Sequence, residues 1–200
     1  AVHAEGRDRD AIWQALESRN VYATSGDRIL LHFNLLNGKR GLRPMGSEAE
    51  VDSPPRFEVR ATGAFEQLPG CPDFVHERLS AERIDRLCLG ECYHPSDLRR
   101  PMEKIEVIRI RKQLDPSEDV SALIQDPWRT LECDPDREGC RVEFEDPDWE
   151  PARETVYYVR ALQQSSPAVG GDPLRCERDE RGDCIRARSC PASGPRFDAT

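Results

Sequence analysis

The 200-residue chain has a formal charge of −9 and is 37% hydrophobic and 34% charged. Its basic residues, mostly Arg, are scattered rather than gathered, which excludes a general binder of nucleic acid or anionic membrane. No apolar run approaches the roughly 18 residues that cross a bilayer, so no membrane insertion is expected, and no apolar signal segment opens the sequence.

Residues 8–18 read as a short helix, capped by Asp8, ended by Asn20 and striped with Ile12, Trp13 and Leu16. "VYAT" then reads as a strand, followed by the turn "TSGDR", in which Gly26 supplies an unusual backbone conformation. Residues 28–36 alternate, with Ile29, Leu31, Phe33 and Leu35 on one face, and Asn37-Gly38 ends that strand. Residues 56–62 alternate again around Phe57, Val59 and Ala61. From 64 to 101 the strand signal lapses, leaving a short helix in "SAERIDRLCL" and a loop, "GECYHPSDLRRP".

Strand character returns in "MEKIEVIRIRKQ". Its alternation slips between Val107 and Ile108, which predicts a bulge or burial on both faces. "DVSALIQDPW" holds one helical turn. "RTLEC" and "CRVEFE" read as a hairpin, and "ETVYYVRAL" is the last clear strand. Beyond Gln163 the composition turns to Pro, Gly, Ser and charge. The expected fold is mainly β: an antiparallel β-sandwich-like domain with a few short helices and a disulfide-stapled C-terminal tail.

Eight cysteines are present: Cys71, Cys88, Cys92, Cys133, Cys140, Cys176, Cys184 and Cys190. Zinc knuckles usually show paired C-x2-C, and none occurs here. An even count in a chain of this size favours disulfides and hence an exported, periplasmic or extracellular protein. Cys133 and Cys140 flank the predicted hairpin and are the foremost candidate pair. Cys176, Cys184 and Cys190 would order the tail, which has little apolar content of its own.

The residues alone assemble no complete active site. "CLGECYHP" could hold a metal through Cys88, Cys92 and His94 with Cys71 or His76, but disulfides are the simpler reading. Asp134, Asp136 and Glu138 miss the spacing of a calcium loop. "TSGDR" lacks the Gly-rich loop and Lys of a phosphate cradle, and Ser25 is not in a nucleophile elbow. Arg28 could grip a carboxylate or phosphate, although a salt bridge to Asp27 or another acid is the commoner fate. Asp146 and Asp148, in a Pro-containing loop, read as solvated charge. His32 reads as a sheet-surface residue, and His3 does not look like a ligand.

The blocks "RDAIWQALESRNVYATSGDRILLHFNL", "MGSEAEV", "FEVRATGAFEQLPGC", "ERIDRLCLGECYHPSD", "IEVIRIRKQ", "LIQDPWRTLECDPDREGC" and "VYYVRALQ" together resemble the C-terminal part of the domain-of-unknown-function 3604 family. That family falls in the PHP superfamily of metal-dependent hydrolases and is similar to the carbaryl hydrolases. The resemblance implies an N-terminal metal-binding barrel upstream, holding zinc, manganese or iron on His and Asp ligands. Residues 1–27 would be the last helix and strand of that barrel, 28–163 a β-rich C-terminal domain and 164–200 a Cys-rich tail. No H-x-H or D-x-H pair occurs in this sequence, so the chain is expected to hold no cofactor or catalytic residue and to be inactive alone. Its implied partner is the barrel itself, with homo-oligomerisation left open. Thr24, Ser25 and Arg28 would stand near the barrel mouth as substrate-binding residues. The competing reading is a non-catalytic, disulfide-stabilised secreted β module for partner binding or assembly.

Overall fold

Asp8 begins the first element as its side chain dictates. Its carboxylate accepts from the backbone N–H groups of Asp10 and Ala11 at 3.1 and 3.0 Å, and helix α1 (Arg9–Glu17) follows. The helix ends at Ser18, ahead of Asn20, and Arg19 takes a left-handed φ of 58°. In the computed structural model the described residues are 1–88, 92–134 and 138–166, with the backbone of 176–178 and 184–187. "VYAT" does not form the expected strand; its one ladder contact is a bridge from Val21 to Val2.

Two antiparallel sheets follow. β1 (Leu30–Gly38), β2 (Gly41–Pro44), β3 (Arg56–Thr62) and β8 (Cys140–Glu145) form the first, in the order β2-β1-β3-β8. β6 (Met102–Arg111), β7 (Ile124–Glu132) and β9 (Thr155–Gln163) form the second, in the order β7-β6-β9. Between β3 and β6 in sequence lie the ribbon β4 (Phe65–Pro69) and β5 (Tyr93–Arg99) and helices α2 (Asp73–Arg78) and α3 (Ala81–Cys88), while the single turn α4 (Val120–Leu123) leads into β7. β5 occupies the expected loop: "YHPSDLR" is not a strand former, and it is extended because it pairs with β4.

Side-chain parity places the core. Phe33 opposes Val59, Phe57 opposes Phe144 and Ala61 opposes Cys140, so the inward residues of β1, β3 and β8 line one face. They pack with Met102, Ile105 and Val107 of the second sheet into one buried cluster. Phe33, Phe57 and Phe144 stack with centroids 5.1–6.4 Å apart, and Tyr157 meets Phe57 from the other sheet at 4.7 Å. At Val107–Ile108 both expected features occur. The register against β7 shifts between Val107 and Arg109, and Val107 and Ile108 are both fully buried.

A further sequence expectation is overturned in the strand pairing. β7 and β8 are not a hairpin; they belong to different sheets. The Cys133–Cys140 disulfide is present, with Cα atoms 5.4 Å apart, but it ties one sheet to the other. The cause is pairing competition: β6 takes β7, while β3 takes β8 along six residue pairs from Arg56↔Glu145 to Ala61↔Cys140.

The N-terminal segment is fastened to the first sheet by polar contacts. The His3 ring donates to the Leu31 carbonyl at 2.7 Å, Asn20 holds the His3 carbonyl at 3.2 Å, and the Tyr22 hydroxyl donates to Ile29 at 2.9 Å. Gly46 has φ +82°, and a Cβ there would fall on the Arg19 carbonyl. Gly46→Ala therefore meets both a left-handed backbone, worth roughly 1–2 kcal/mol, and a backbone clash. The expected result is faster amide exchange in α1 than in the wild type, with β3 and β6 still protected. Unchanged exchange in α1 would refute this role.

The chain divides into two compact units, Ala1–Gln164 and Ser165–Thr200. In the second unit β10 (Cys176–Arg178) pairs antiparallel with β11 (Cys184–Ala187). The side chains of Cys176, Cys184 and Cys190, named above as staples, lie outside the described residues, as do Asp136 and its neighbours in the Cys133–Cys140 loop.

Candidate functional site

The 24–28 turn is held from below. Asp27 accepts from the Gln163 amide at 2.6 Å and pairs with Arg100 at 3.7 Å, while the Gln163 carbonyl oxygen accepts from the Ala64 N–H at 2.8 Å. Gly26 has φ +152°, a conformation that suits glycine. Thr24, Ser25 and Arg28 are all exposed. Asp27 is thus engaged by Gln163 and Arg100 rather than by Arg28. The turn presents two hydroxyls and a guanidinium to solvent on a fixed base.

His32 stands over the same sheet, its ring 4.4 Å from the ring of His3. Burial, then the neighbouring His3 and Arg60, push its pKa below 6.5, against the opposing pull of Glu58. The folded state then holds fewer protons on His32 than the unfolded chain does. This contribution to stability is present above pH 6.5 and is lost as pH falls below it. Unfolding followed from pH 7 to pH 5 is expected to show falling stability, with a shallower slope in His32→Gln. Identical slopes would contradict the assignment.

A second cluster lies in the ribbon and its helices. Cys88 and Cys92 are disulfide-bonded with Cα atoms 5.0 Å apart, and Cys71 is a half-buried free thiol with its sulfur 3.4 Å from Cys88 Sγ. All three sulfurs lie within 4.8 Å of one another, the one metal-sized grouping among the described residues. His94 does not join them; its Nδ1 donates to the Gly70 carbonyl at 3.0 Å. His76 is exposed in the last turn of α2.

Sequence reasoning missed a third constellation, and here Asp146 is corrected from solvated to buried, at 1% exposure. Arg109 Nη1 donates to Asp146 Oδ1 at 2.6 Å, and the Tyr157 hydroxyl donates to Oδ2 at 2.6 Å. Gln125 accepts from Arg109 Nε at 2.8 Å, the Asp148 N–H donates to Asp146 at 3.0 Å, and the Trp128 ring lies 4.3 Å from the guanidinium. Burial, then the hydrogen bond to Asp146, raise the Tyr157 pKa above its ordinary 10.0. Arg109 and Tyr157 belong to the second sheet, and Asp146 follows β8 of the first. With Arg109 bound through Nε and Nη1 and both Asp146 oxygens accepting, the network serves as a clasp between sheets.

The stretch from α1 through the turn to β1 is also where a relationship is found. Residues 1–38 match the family model described as a protein of unknown function, DUF3604. No curated protein and no solved structure matches the chain. The matched segment contains the 24–28 turn, α1 and the whole of β1.

The described residues do not fit a hydrolytic metal centre. His3 spends its Nε2 on the Leu31 carbonyl, and the three-sulfur group has two members joined to each other. Among the described residues no helix is long and apolar enough to cross a membrane.

Proposed function

We propose that the chain is the C-terminal part of an exported, metal-dependent hydrolase of the PHP superfamily, similar to the carbaryl hydrolases. In this reading the sandwich buttresses a metal-binding barrel that supplies the His and Asp ligands and the zinc, manganese or iron. Thr24, Ser25 and Arg28 form part of the wall of its substrate pocket. The two disulfides support the exported setting. The observation that carries the reading is the outer face of α1. Ala15 is buried beneath the helix while Ile12, Trp13 and Leu16 are exposed, Trp13 at 61%. A Trp-centred apolar stripe suits a packed neighbour rather than water, and it lies within the segment that matches the family.

The test uses the full reading frame. The whole protein is expected to bind divalent metal and to hydrolyse an ester or carbamate probe. Trp13→Glu should loosen the barrel, seen as faster proteolysis near α1, and Arg28→Ala should raise KM with little change in kcat. A reading frame without an upstream His and Asp ligand set, or a metal-free inactive protein, would overturn the proposal. The second reading, an assembly module, is favoured by β9, a sheet edge among the described residues that exposes Val156 and Tyr158. Concentration-dependent self-association of the full protein, abolished by Val156→Lys, would support it instead.

A further inference from the structure

We propose that Cys71, Cys88 and Cys92 form a thiol–disulfide exchange site, in which the Cys71 thiolate displaces Cys92 from Cys88. The Cys71 sulfur lies in contact with Cys88 Sγ, at 3.4 Å, and the Cys88–Cys92 bond is the electrophile it faces. The backbone holds this approach in place. The Gly70 N–H donates to the Cys92 carbonyl at 2.7 Å, and the His94 ring donates to the Gly70 carbonyl at 3.0 Å. The residue before Cys71 is therefore clamped to the segment that starts at Cys92.

The step balances without an added oxidant or reductant. Cys71 loses its proton to solvent, its sulfur bonds to Cys88 Sγ, and the Cys88–Cys92 bond breaks with its electron pair leaving on Cys92. Cys92 then takes a proton from solvent. One disulfide and one thiol are present before and after.

Exchange also changes what the bridge constrains. Cys88–Cys92 spans a sequence separation of 4, whereas Cys71–Cys88 spans 17 and closes a ring around α2 and α3. Loop closure in a loose chain favours the shorter ring by roughly an order of magnitude, whereas the longer ring, once closed, restricts the unfolded lobe more and so stabilises its fold further. The lobe has little other stabilisation to set against this difference: α2 contributes no buried residue and α3 contributes Ile84 alone. The two bridges are thus alternative staples of one thinly packed lobe, and the position of the free thiol reports which is closed.

The whole chain, purified without reductant, should be alkylated with iodoacetamide at pH 8, quenched in acid and digested with trypsin and a Glu-specific protease. Cleavage after Glu91 separates Cys88 from Cys92. Label is expected on Cys92 as well as Cys71, together with a Cys71–Cys88 linked peptide. Cys71→Ser is expected to remove the Cys92 label, and Cys92→Ser to leave Cys71 bridged to Cys88. Label confined to Cys71 beside a sole Cys88–Cys92 bridge overturns the proposal. So does the absence of a free thiol among the three, or a free Cys71 in Cys92→Ser. Should either variant fail to fold, the wild-type map decides by itself.

Discussion

Replacing Asp146 by Ala is expected to lower the unfolding free energy by about 3–5 kcal/mol, because it leaves the Arg109 guanidinium buried and unpaired. Arg109 is 3% exposed at its side chain, and its remaining partners are Gln125, the Trp128 face and a distant Asp148 carboxylate at 3.8 Å. For a domain of this size that loss lowers Tm by roughly 10 °C. The informative control is the apolar triple variant Arg109→Met, Asp146→Leu, Tyr157→Phe, which removes charges and hydroxyl together. It should recover most of the stability, since it is the stranded charge that costs most. Equal losses in the single and triple variants would show that packing, not the unpaired charge, governs the site. A second signature lies at alkaline pH. Because the Tyr157 pKa is raised in the fold, its contribution is full below pH 10 and falls away as pH rises beyond it. Tyr157→Phe should flatten that alkaline decline.

The second large effect is expected at the Cys133–Cys140 bridge. Changing both residues to Ala should cost about 2–4 kcal/mol, of which roughly 2.5 kcal/mol is the chain entropy of a ring this short. Cys140 is itself buried against Ala61 and belongs to the core cluster, so truncation adds a small packing loss. Since the bridge spans two sheets, amide protection should fall in β8 while the β6–β9 pairing keeps its protection. Loss confined to the loop residues, with global stability within 0.5 kcal/mol of wild type (the usual reach of a surface change), would show the bridge to be ornamental.

The elements that were legible in the sequence are those whose signal is local. Asp8 ahead of an apolar run marks a helix start, and the alternation in 28–36 and 56–62 gives the buried faces of β1 and β3. Period-two patterning says which face a strand buries but not which strand it pairs with. The prior that consecutive strands are neighbours therefore misassigned β7 and β8. β5 was invisible because Pro95, Ser96 and Asp97 carry no strand signal of their own.

The clasp had one readable trace. Arg109 shares the parity of Ile105 and Val107, which places a guanidinium inward on a core strand. Its partner, Asp146, sits 37 residues away, in a loop whose composition suggests only solvent. For the 24–28 turn the sequence anticipated the glycine conformation but not the anchor, since Asp27 meets Gln163 across 136 residues. The contact between Cys71 and Cys88 is likewise tertiary, and spacing alone could not distinguish it from other pairings.

The β3–β8 ladder also dictates an order of events during synthesis. β1, β2 and β3 can zip together as soon as they emerge, but the partner of Arg56 is Glu145, and the second sheet's β6 and β7 must be made in between. Until β8 arrives, β3 presents an open row of hydrogen-bonding groups, and Phe57 and Ala61 lack Phe144 and Cys140 beside them. An interruption of synthesis before residue 140 would therefore leave one edge of β3 open to pairing with another chain.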